Sequence, residues 1–328
     1  MPRLAPTRWP ALLLALTFLC IGSLPLHAQS YPTGPIRLMV PYPPGGTADL
    51  LGRLVGQRLG DALGVTVVIE NRAGIGGSLG AEIVSKAAPD GATLLLGNAS
   101  TQAINQSLYK KIGYDPLKDF TPISLVATVP LVMMVHPSMP VKSVKELLAL
   151  ARARPGQMNY ASGGAGSTTH LSMELLKSQT KVDIAHIAYR GSGPALISLI
   201  AGEVPLMVEL MPTALPFVKA GKVRALAVTS ARRSPLLLDI PTIAETVTPG
   251  YEVASWFGVF APAGTPTPVV TRLNAEVVKF MSTPEMRERL LALGAEPVTN
   301  TPDEFGRFVR AEITKWSKVV QESGAKAE

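Results

Sequence analysis

Residues 36–59, IRLMVPYPPGGTADLLGRLVGQRL, carry the clearest structural signal in the chain. The first five are typical of a β-strand, and Pro41–Thr47 then forms a turn rich in proline and glycine. Leu51, Val55 and Leu59 follow at helical spacing. A strand that passes through a glycine-rich turn into a helix is the repeating unit of parallel α/β sheets.

The same order of strand, turn and helix returns further along the chain. Residues 158–161 are a predicted strand, residues 162–169 are a turn with three glycines, and a helix follows. Helices are also predicted from residues 143 and 301, where an N-cap Ser or Thr is followed three residues later by Glu. This alternation predicts an α/β fold whose mainly parallel sheets are flanked by helices.

Two apolar, extended segments, 126–135 and 252–261, are candidates for the crossings between two domains. A length of 328 residues also suggests two domains, each with its own core. We therefore predict that residues 29–128 and 253–328 form one domain and that residues 129–252 form the other. In such a fold the ligand lies in the interdomain cleft, at the carboxyl ends of strands.

The first 28 residues have the pattern of a secretory signal peptide. Arg3 and Arg8 are their only charges, and an apolar run covers residues 11–26. Ala28 supplies the small residue that cleavage requires. An uncleaved anchor helix is the alternative, but the run is short and contains glycine, serine and proline. We expect residues 1–28 to be removed and the mature protein to be exported to a periplasm.

Composition excludes several classes of function. The formal net charge is +7, but the positive residues are scattered and never form a run of five. Proteins that bind nucleic acids usually cluster such charges, so we expect no nucleic-acid partner. Cys20, the only cysteine, lies in the predicted signal. The mature chain therefore has no disulfide, thiol nucleophile or cysteine-ligated metal, which suits a bacterial periplasmic protein.

Histidines give no pattern of a metal site. After the predicted signal they are His136, His170 and His186, and no H-E-x-x-H motif or helical ligand spacing is present. We predict neither a metal nor a cofactor.

The first loop, Pro41–Asp49, is a candidate for ligand binding. Its glycines let the backbone approach a ligand closely. The helix that begins near Thr47 directs free N–H groups and its positive dipole end at the cleft, which suits a carboxylate. Asp49 caps the helix, braces the loop, or is a plain acid of the first helical turn. The predicted ligand-binding residues are Tyr42, Gly45, Gly46, Thr47, Ala48 and Asp49.

The second loop, Ser162–Thr169, also leads from a strand into a helix. It offers backbone N–H groups and four hydroxyl side chains at one helix N-terminus. Two such loops facing each other would hold a small anion from both sides, whereas the alternative is two ordinary β–α turns. The predicted ligand-binding residues are Ser162, Gly163, Gly166, Ser167 and Thr168.

Two further segments are candidates for the same cleft. Asn98–Gln102 follows the third predicted strand, and we include Thr101 from it. Residues 189–194 form another glycine-rich helix entry, in which Arg190 either pairs with a second carboxylate of the ligand or is a surface charge.

A hydrolase is the rival class of function. Residues 76–80 match G-x-S-x-G, but that motif needs a strand running directly into the serine, and polar residues 70–74 intervene. The rival would be a secreted serine hydrolase using Ser78 or Ser167 with His170. We predict no catalytic residue. A stand-alone ligand sensor, without transport, is a further alternative.

Several motifs together resemble the Bug family, the periplasmic solute receptors of tripartite tricarboxylate transporters. The resemblance runs from residue 31 to residue 327. It rests on PPGGTAD (43–49), ENRAG (70–74), YASG (160–163) through His170-Leu171, YRG (189–191), AGKVRALAV (220–228) and APAGTP (261–266).

This resemblance implies a two-lobed periplasmic-binding-protein fold, type II-like, that closes on its ligand. In the family, two β–α loops hold a ligand carboxylate through backbone N–H groups, hydroxyls and ordered water. The implied partners are a small carboxylate, such as an amino acid, a di- or tricarboxylate or an aromatic acid, and a membrane transporter or sensor. We expect a monomer. The site residues implied in this chain are Tyr42, Gly46, Thr47, Ala48, Asp49, Ser162, Gly166, Ser167 and Thr168.

The chain departs from the family pattern toward the far end of the pocket. The family often has histidine at Gln102, proline at Gln106, acids at Ser198 and Pro205, and Asp-Asn at Glu209-Leu210. These departures leave the ligand open among the classes that the family binds.

Overall fold

The computed structural model describes residue 2 and residues 31–327. Gly34–Glu328 forms one compact unit, and Met1–Thr33 is a separate one. The predicted signal peptide, residues 1–28, lies outside the described residues except for residue 2. No helix within the described residues has the length and apolar character needed to cross a bilayer.

Strands and helices alternate through most of the compact unit. In residues 31–327 the strands β1 to β10 are Ile36–Val40, Val67–Asn71, Thr93–Asn98, Phe120–Val135, Asn159–Ser162, Ala185–Ala188, Leu206–Leu210, Arg224–Val228, Ala254–Pro262 and Glu296–Pro297. The α-helices α1 to α11 are Thr47–Leu63, Ser78–Ser85, Asn105–Leu108, Val144–Ala153, Thr168–Thr180, Ser192–Ala201, Met211–Lys219, Ile243–Thr246, Thr267–Met281, Pro284–Leu293 and Pro302–Ser323.

The first sheet contains the strand that precedes the first loop. Its order is β2-β1-β3-β9-β4, with β1 parallel to both β2 and β3. Strand β9 runs antiparallel to β3 and to the first part of β4, and β10 pairs with β4. The carboxyl ends of β1 and β3 therefore meet at one edge of this sheet, where the first loop begins.

The second sheet contains the strand that precedes the second loop. Strand β5 lies between β6 and β7 and is parallel to both. The end of β4 runs antiparallel to β7 and β8. The second loop therefore leaves β5 beside the end of β7.

Strand β4 takes part in both sheets. Phe120–Pro130 pairs with β9, whereas Leu131–Val135 pairs with β7 and β8. Among residues 31–327, every antiparallel pairing involves β4 or β9, which contain the apolar segment 126–135 and most of the segment 252–261 proposed from sequence as crossings. The sheets are thus mixed: the strand–turn–helix segments supply parallel pairs, and β4 and β9 supply antiparallel ones. The division into residues 29–128 with 253–328 and residues 129–252 stays a prediction.

Helix α11 is anchored in the core by two tryptophans. The indole N–H groups of Trp256 and Trp316 both donate to Glu312 Oε2, at 2.8 and 2.9 Å, so this nearly buried carboxylate is satisfied. The helix begins with the predicted capping box between Thr301 and Glu304, whose backbone and side-chain bonds are both formed.

Candidate functional site

The first loop ends at a helix N-terminus that no side chain caps. Gly46 is the N-cap of α1, with an extended backbone (φ −89°, ψ 175°), and has no side chain with which to accept the first N–H groups. Because the first N–H groups of an α-helix have no partner inside the helix, those of α1 remain available to a ligand. Gly45 has a φ of 89°, a left-handed conformation that favours glycine.

Asp49 braces the first loop from behind. Its carboxylate accepts from the backbone N–H of Gly45 at 3.0 Å and from Asn71 Nδ2 at 3.1 Å, and it pairs with Arg53 at 3.0 Å. Burial opposes ionisation, but these three partners outweigh it and hold the pKa of Asp49 below its usual value. Of the three roles considered for Asp49, its contacts match bracing of the loop.

The second loop, in contrast, satisfies its own groups. Ser167 caps α5 by accepting from the N–H of His170 at 3.1 Å, and its hydroxyl donates to the Gly164 carbonyl at 2.6 Å. The N–H of Gly163 donates to Thr169 Oγ1 at 3.1 Å. The loop is therefore fixed by internal bonds before any ligand arrives.

A column of stacked rings supports the second loop. His170 and His186 stack with centroids 4.0 Å apart, and Tyr160 stacks on His186 at 4.9 Å. Ser162 Oγ lies 2.6 Å from His186 Nε2, and His170 Nδ1 accepts from the N–H of Gly166 at 3.3 Å. Burial lowers the pKa of His170 to about 4 and that of His186 to about 3, so both rings are neutral near pH 7.

Helix N-termini and parts of several strands surround a cavity of about 50 Å³. A cavity needs about 10–15 Å³ measured in this way to hold one water, so this one has room for a few waters or a small group. Its walls come from both loops, the start of α6, the end of β7 and the strand β9. The lining residues are Tyr42, Pro43, Pro44, Gly46, Thr47, Ala48, Asn98, Ser100, Gly163, Ser167, Thr168, Thr169, Gly191, Ser192, Gly193, Leu210, Ser255 and Phe257.

Contacts around the cavity explain its small size. Thr47 Oγ1 lies 2.7 Å from Thr213 Oγ1, and the hydroxyl of Tyr109 donates to the Ala165 carbonyl at 2.8 Å. Each contact joins a residue near the first sheet to one near the second. The two sides of the cavity are therefore in contact.

Tyr42 is fixed at the bottom of the first loop. Its hydroxyl lies 3.1 Å from Asn98 Nδ2 and donates to the Gly76 carbonyl at 3.2 Å. Burial raises the pKa of Tyr42, so the hydroxyl stays protonated. Tyr42 and Asn98 thus provide neutral polar groups on the wall of the cavity.

The structure brings just over half of the predicted ligand-binding residues to the cavity wall. Those that line it are Tyr42, Gly46, Thr47, Ala48, Gly163, Ser167 and Thr168. The others lie nearby without lining it: Gly45, Asp49, Thr101, Ser162, Gly166 and Arg190.

The predicted residues that do not line the cavity differ in burial and in hydrogen-bond partners. Thr101 is fully buried and bonds Asn98, while Ser162 and Gly166 hold the two stacked histidines. Arg190 is exposed, which matches its interpretation as a surface charge.

Sequence reasoning missed the part of the wall that comes from β7 and β9. Ser255 and Phe257 lie in a strand that is buried almost throughout, so no turn or glycine marks them. The hydroxyl of Thr168 donates to Ser255 Oγ at 3.3 Å, and this bond connects β9 to the second loop. Ser192 and Gly193, in contrast, belong to the glycine-rich helix entry noted from sequence.

Neither candidate serine of the hydrolase alternative is arranged as a nucleophile. Ser78 Oγ accepts from Asn105 Nδ2 at 2.9 Å, and Ser167 is used as the cap of α5. Among residues 31–327, no cluster of three His, Cys, Asp or Glu side chains is placed to hold a metal ion.

Comparison with known proteins identifies the relatives of this chain. Residues 51–325 match the family model of the tripartite tricarboxylate transporter family receptor, TctC. Protein BugT of Bordetella pertussis is 40% identical over 303 residues, covering 92% of this chain and 93% of that protein.

Two solved structures are also similar. The R. palustris protein Rpa4515 with adipate superposes with a TM-score of 0.89 at 43% identity, covering 91% of this chain and all of that one. MatC of Rhodopseudomonas palustris with bound malate has a TM-score of 0.84 at 35% identity, covering 88% of this chain and all of that one.

These relatives confirm the predicted α/β fold of the periplasmic binding proteins. They are substrate-binding proteins and not enzymes, so the hydrolase alternative is set aside. The chain belongs to the TctC family of tripartite tricarboxylate transporter receptors, and it is a solute-binding protein.

Proposed function

We propose that this receptor captures a small metabolite through its carboxylate, in the cavity between the two loops, and delivers it to a membrane transporter of the tripartite tricarboxylate type. The signal-like residues 1–28 support export to the periplasm, where such a receptor would meet its ligand.

The observation that carries the proposal is the uncapped N-terminus of α1 on the cavity wall. Gly46, Thr47 and Ala48 all line the cavity, and no side chain caps the helix at Gly46. A carboxylate placed there would accept backbone N–H bonds and interact favourably with the helix dipole. Ser167 and Thr168 line the same cavity from the second loop.

Closure would strengthen this attraction. When residues 129–252 move against the rest of the chain, water leaves the site, and the same charges interact more strongly in a lower dielectric. The hydroxyl contact of 2.7 Å between Thr47 and Thr213 supports this proposal, because it joins the two sides of the cavity. Closure would also change the outer surface that a transporter recognises.

The neighbours with adipate and malate support a carboxylate ligand of similar size. The experiment is native mass spectrometry of the purified protein, followed by thermal shifts with amino acids, di- and tricarboxylates and aromatic acids. A ligand at 100 times its Kd should stabilise the protein by about 2.7 kcal/mol. We expect one class to raise Tm clearly, and Thr47→Pro, which removes one N–H of α1, to reduce that rise.

An absence of any shift across all four classes would contradict carboxylate capture. Transport is tested separately, by deleting the receptor gene and measuring uptake of the ligand that binds. Unchanged uptake would refute delivery to a transporter while leaving capture intact.

A further inference from the structure

Glu209 is a buried acid that the fold leaves without a partner. It lies near the end of β7 and is fully buried. Within the described part of the chain, neither carboxylate oxygen makes a hydrogen bond of acceptable geometry. An unpaired carboxylate in such a place is costly, so it requires an explanation.

The position of Glu209 points to the ligand cavity. The hydroxyl of Ser192 and the N–H of Leu210 act on its carboxylate, and both of these residues line the cavity, so Glu209 adjoins the cavity wall without lining it. Strand β7 is parallel to β5, with Met207 opposite Ala161. Glu209 and Gly163 each follow two residues later, so Glu209 lies beside the point where the second loop leaves its strand.

No protein cation neutralises Glu209 from the surrounding elements. β4, β5 and α6, which pack around this part of β7, contain no Asp, Glu, Lys, Arg or His in their described sequences. Helix α5 also packs on β7 and carries His170, Glu174 and Lys177, of which Lys177 pairs with Glu174 at 2.7 Å. Helix α7 follows directly and carries a single charge, Lys219, in its last turn. The site therefore holds an acid without a counter-charge.

The two histidines under the second loop lie on the other face of this sheet. Tyr160 pairs with His186, whereas Ala161 pairs with Met207. Because neighbouring residues of a strand point to opposite faces, Glu209 and Met207 share the face opposite to His186. Lys177 lies over the ring of Tyr160, which stacks on His186, so it belongs to that same face. Neither the histidines nor Lys177 therefore neutralise Glu209.

Burial raises the pKa of Glu209 to about 7, and Ser192 and Leu210 offset only part of that effect. Near neutral pH the group is divided between its two protonation states. A cation brought beside it would shift the balance to the carboxylate, and the attraction would be strong because the surroundings are dry.

We propose that Glu209 forms a subsite for a protonated amine, so that the ligand carries an ammonium group as well as a carboxylate. This inference rests on the proposed function, since it assigns the other end of the same ligand. The carboxylate would bind at the N-terminus of α1, and the ammonium would bind between Glu209 and Ser192. A cavity of about 50 Å³ favours a short zwitterion.

The experiment compares three matched series of ligands by isothermal titration calorimetry. The amino acids are glycine, β-alanine, 4-aminobutyrate and 5-aminopentanoate, and each is paired with the unsubstituted acid and the dicarboxylate of equal chain length. We expect one amino acid to bind at least tenfold more tightly than its matched acids. Glu209→Gln should abolish that preference, while Glu252→Gln, at an exposed glutamate, should preserve it.

Proton exchange gives a second test that needs no variant. Titration at pH 7 in two buffers of different ionisation enthalpy measures the protons released on binding. Because the pKa of Glu209 is about 7, pairing it with an ammonium should release about half a proton. A ligand with a second carboxylate in place of the ammonium would instead cause proton uptake on binding.

The outcomes separate the two proposals. The subsite is refuted if a matched unsubstituted acid or dicarboxylate binds as tightly as the amino acid, or if binding takes up protons. It is also refuted if Glu209→Gln binds the amino acid with unchanged affinity. If no member of any series binds, and the wider panel of carboxylic acids also fails, the proposed function itself is wrong.

Discussion

The first and second loops both join a parallel strand to a helix at the same cavity, yet they use their hydrogen-bonding groups differently. In the first loop the only charged brace, Asp49, lies behind the turn, and no side chain caps α1. In the second loop Ser167 caps α5, and the serine, threonine and histidine side chains bond the backbone.

This difference suggests a division of labour within one site. Helix N–H groups that no protein group accepts from can be used by an anion without breaking an existing bond. Groups already bonded in the protein supply a fixed wall, whose hydroxyls can turn toward a ligand. We therefore expect the first loop to supply most of the binding energy and the second loop to supply shape and stability.

Acid should affect the second loop most strongly. His170 and His186 have folded pKa values below the ordinary 6.5, so the unfolded chain binds more protons once the pH falls below 6.5. The contribution of these two histidines to stability is therefore present above pH 6.5 and is lost as the pH falls toward 4. At pH 5 the loss should be about 2 kcal/mol for each histidine.

Glu209 acts in the opposite direction and must be removed from this measurement. Its folded pKa of about 7 lies above its ordinary 4.5, so its contribution to stability increases as the pH falls from 7. Urea unfolding of the Glu209→Gln protein at pH 7 and pH 5 measures the contribution of the histidines without that of Glu209. Equal free energies of unfolding at the two pH values would show that the fold does not hold His170 and His186 in the uncharged form.

Removal of the brace should damage the first loop next. Asp49→Ala removes the acceptor of the Gly45 N–H and one of the two acceptors of Asn71 Nδ2, and it should lower the free energy of unfolding by about 2 kcal/mol. Ligand affinity should fall too, because the loop loses its fixed shape. Denaturant unfolding and calorimetry test both effects. Asp61→Ala, at an exposed acid of the same helix, is the control.

A matched pair of prolines compares the two helix ends directly. Thr47 and Thr168 are the first residues of α1 and α5, where proline is tolerated because no helical bond uses that N–H. Thr47→Pro should weaken ligand binding by about tenfold, or 1.4 kcal/mol, and Thr168→Pro by less. The Thr→Val variants separate loss of the hydroxyl from loss of the N–H. Equal effects at the two positions would refute the division of labour.

The smallest expected effect concerns the contact across the cavity. Thr213→Val removes the bond between the hydroxyls of Thr47 and Thr213, which should cost about 1 kcal/mol of binding energy or less. The free energy of unfolding should hardly change. A loss of more than tenfold in affinity would mean that Thr213 contacts the ligand itself.

The sequence revealed the loops and helix entries because their glycines, hydroxyls and caps are local signals. The turn before Thr47 appears where the pattern predicted it, and the helix after the second loop begins at Thr168, two residues before the predicted start. Ser255 and Phe257 were missed because a buried strand carries no local mark of the surface that it will line. Such positions depend on which strands become neighbours, a property of the whole chain.

Asp49 illustrates a second limit. From sequence, an acid in the first helical turn is equally consistent with a helix cap, a brace of the loop or a plain terminal charge. Its partner Asn71 is 22 positions away and is brought close by the parallel pairing of β1 and β2. Only that pairing distinguishes the three roles.

The continuity of β4 also has a consequence for dissecting the gene. Cutting the chain at the predicted boundary between residues 128 and 129 would sever a strand that bonds to β9 on one side of the cut and to β7 and β8 beyond it. Both fragments would expose unpaired backbone edges, which favour aggregation over independent folding. Because β4 belongs to both sheets, the two sheets have to be encoded by one gene and folded as one chain.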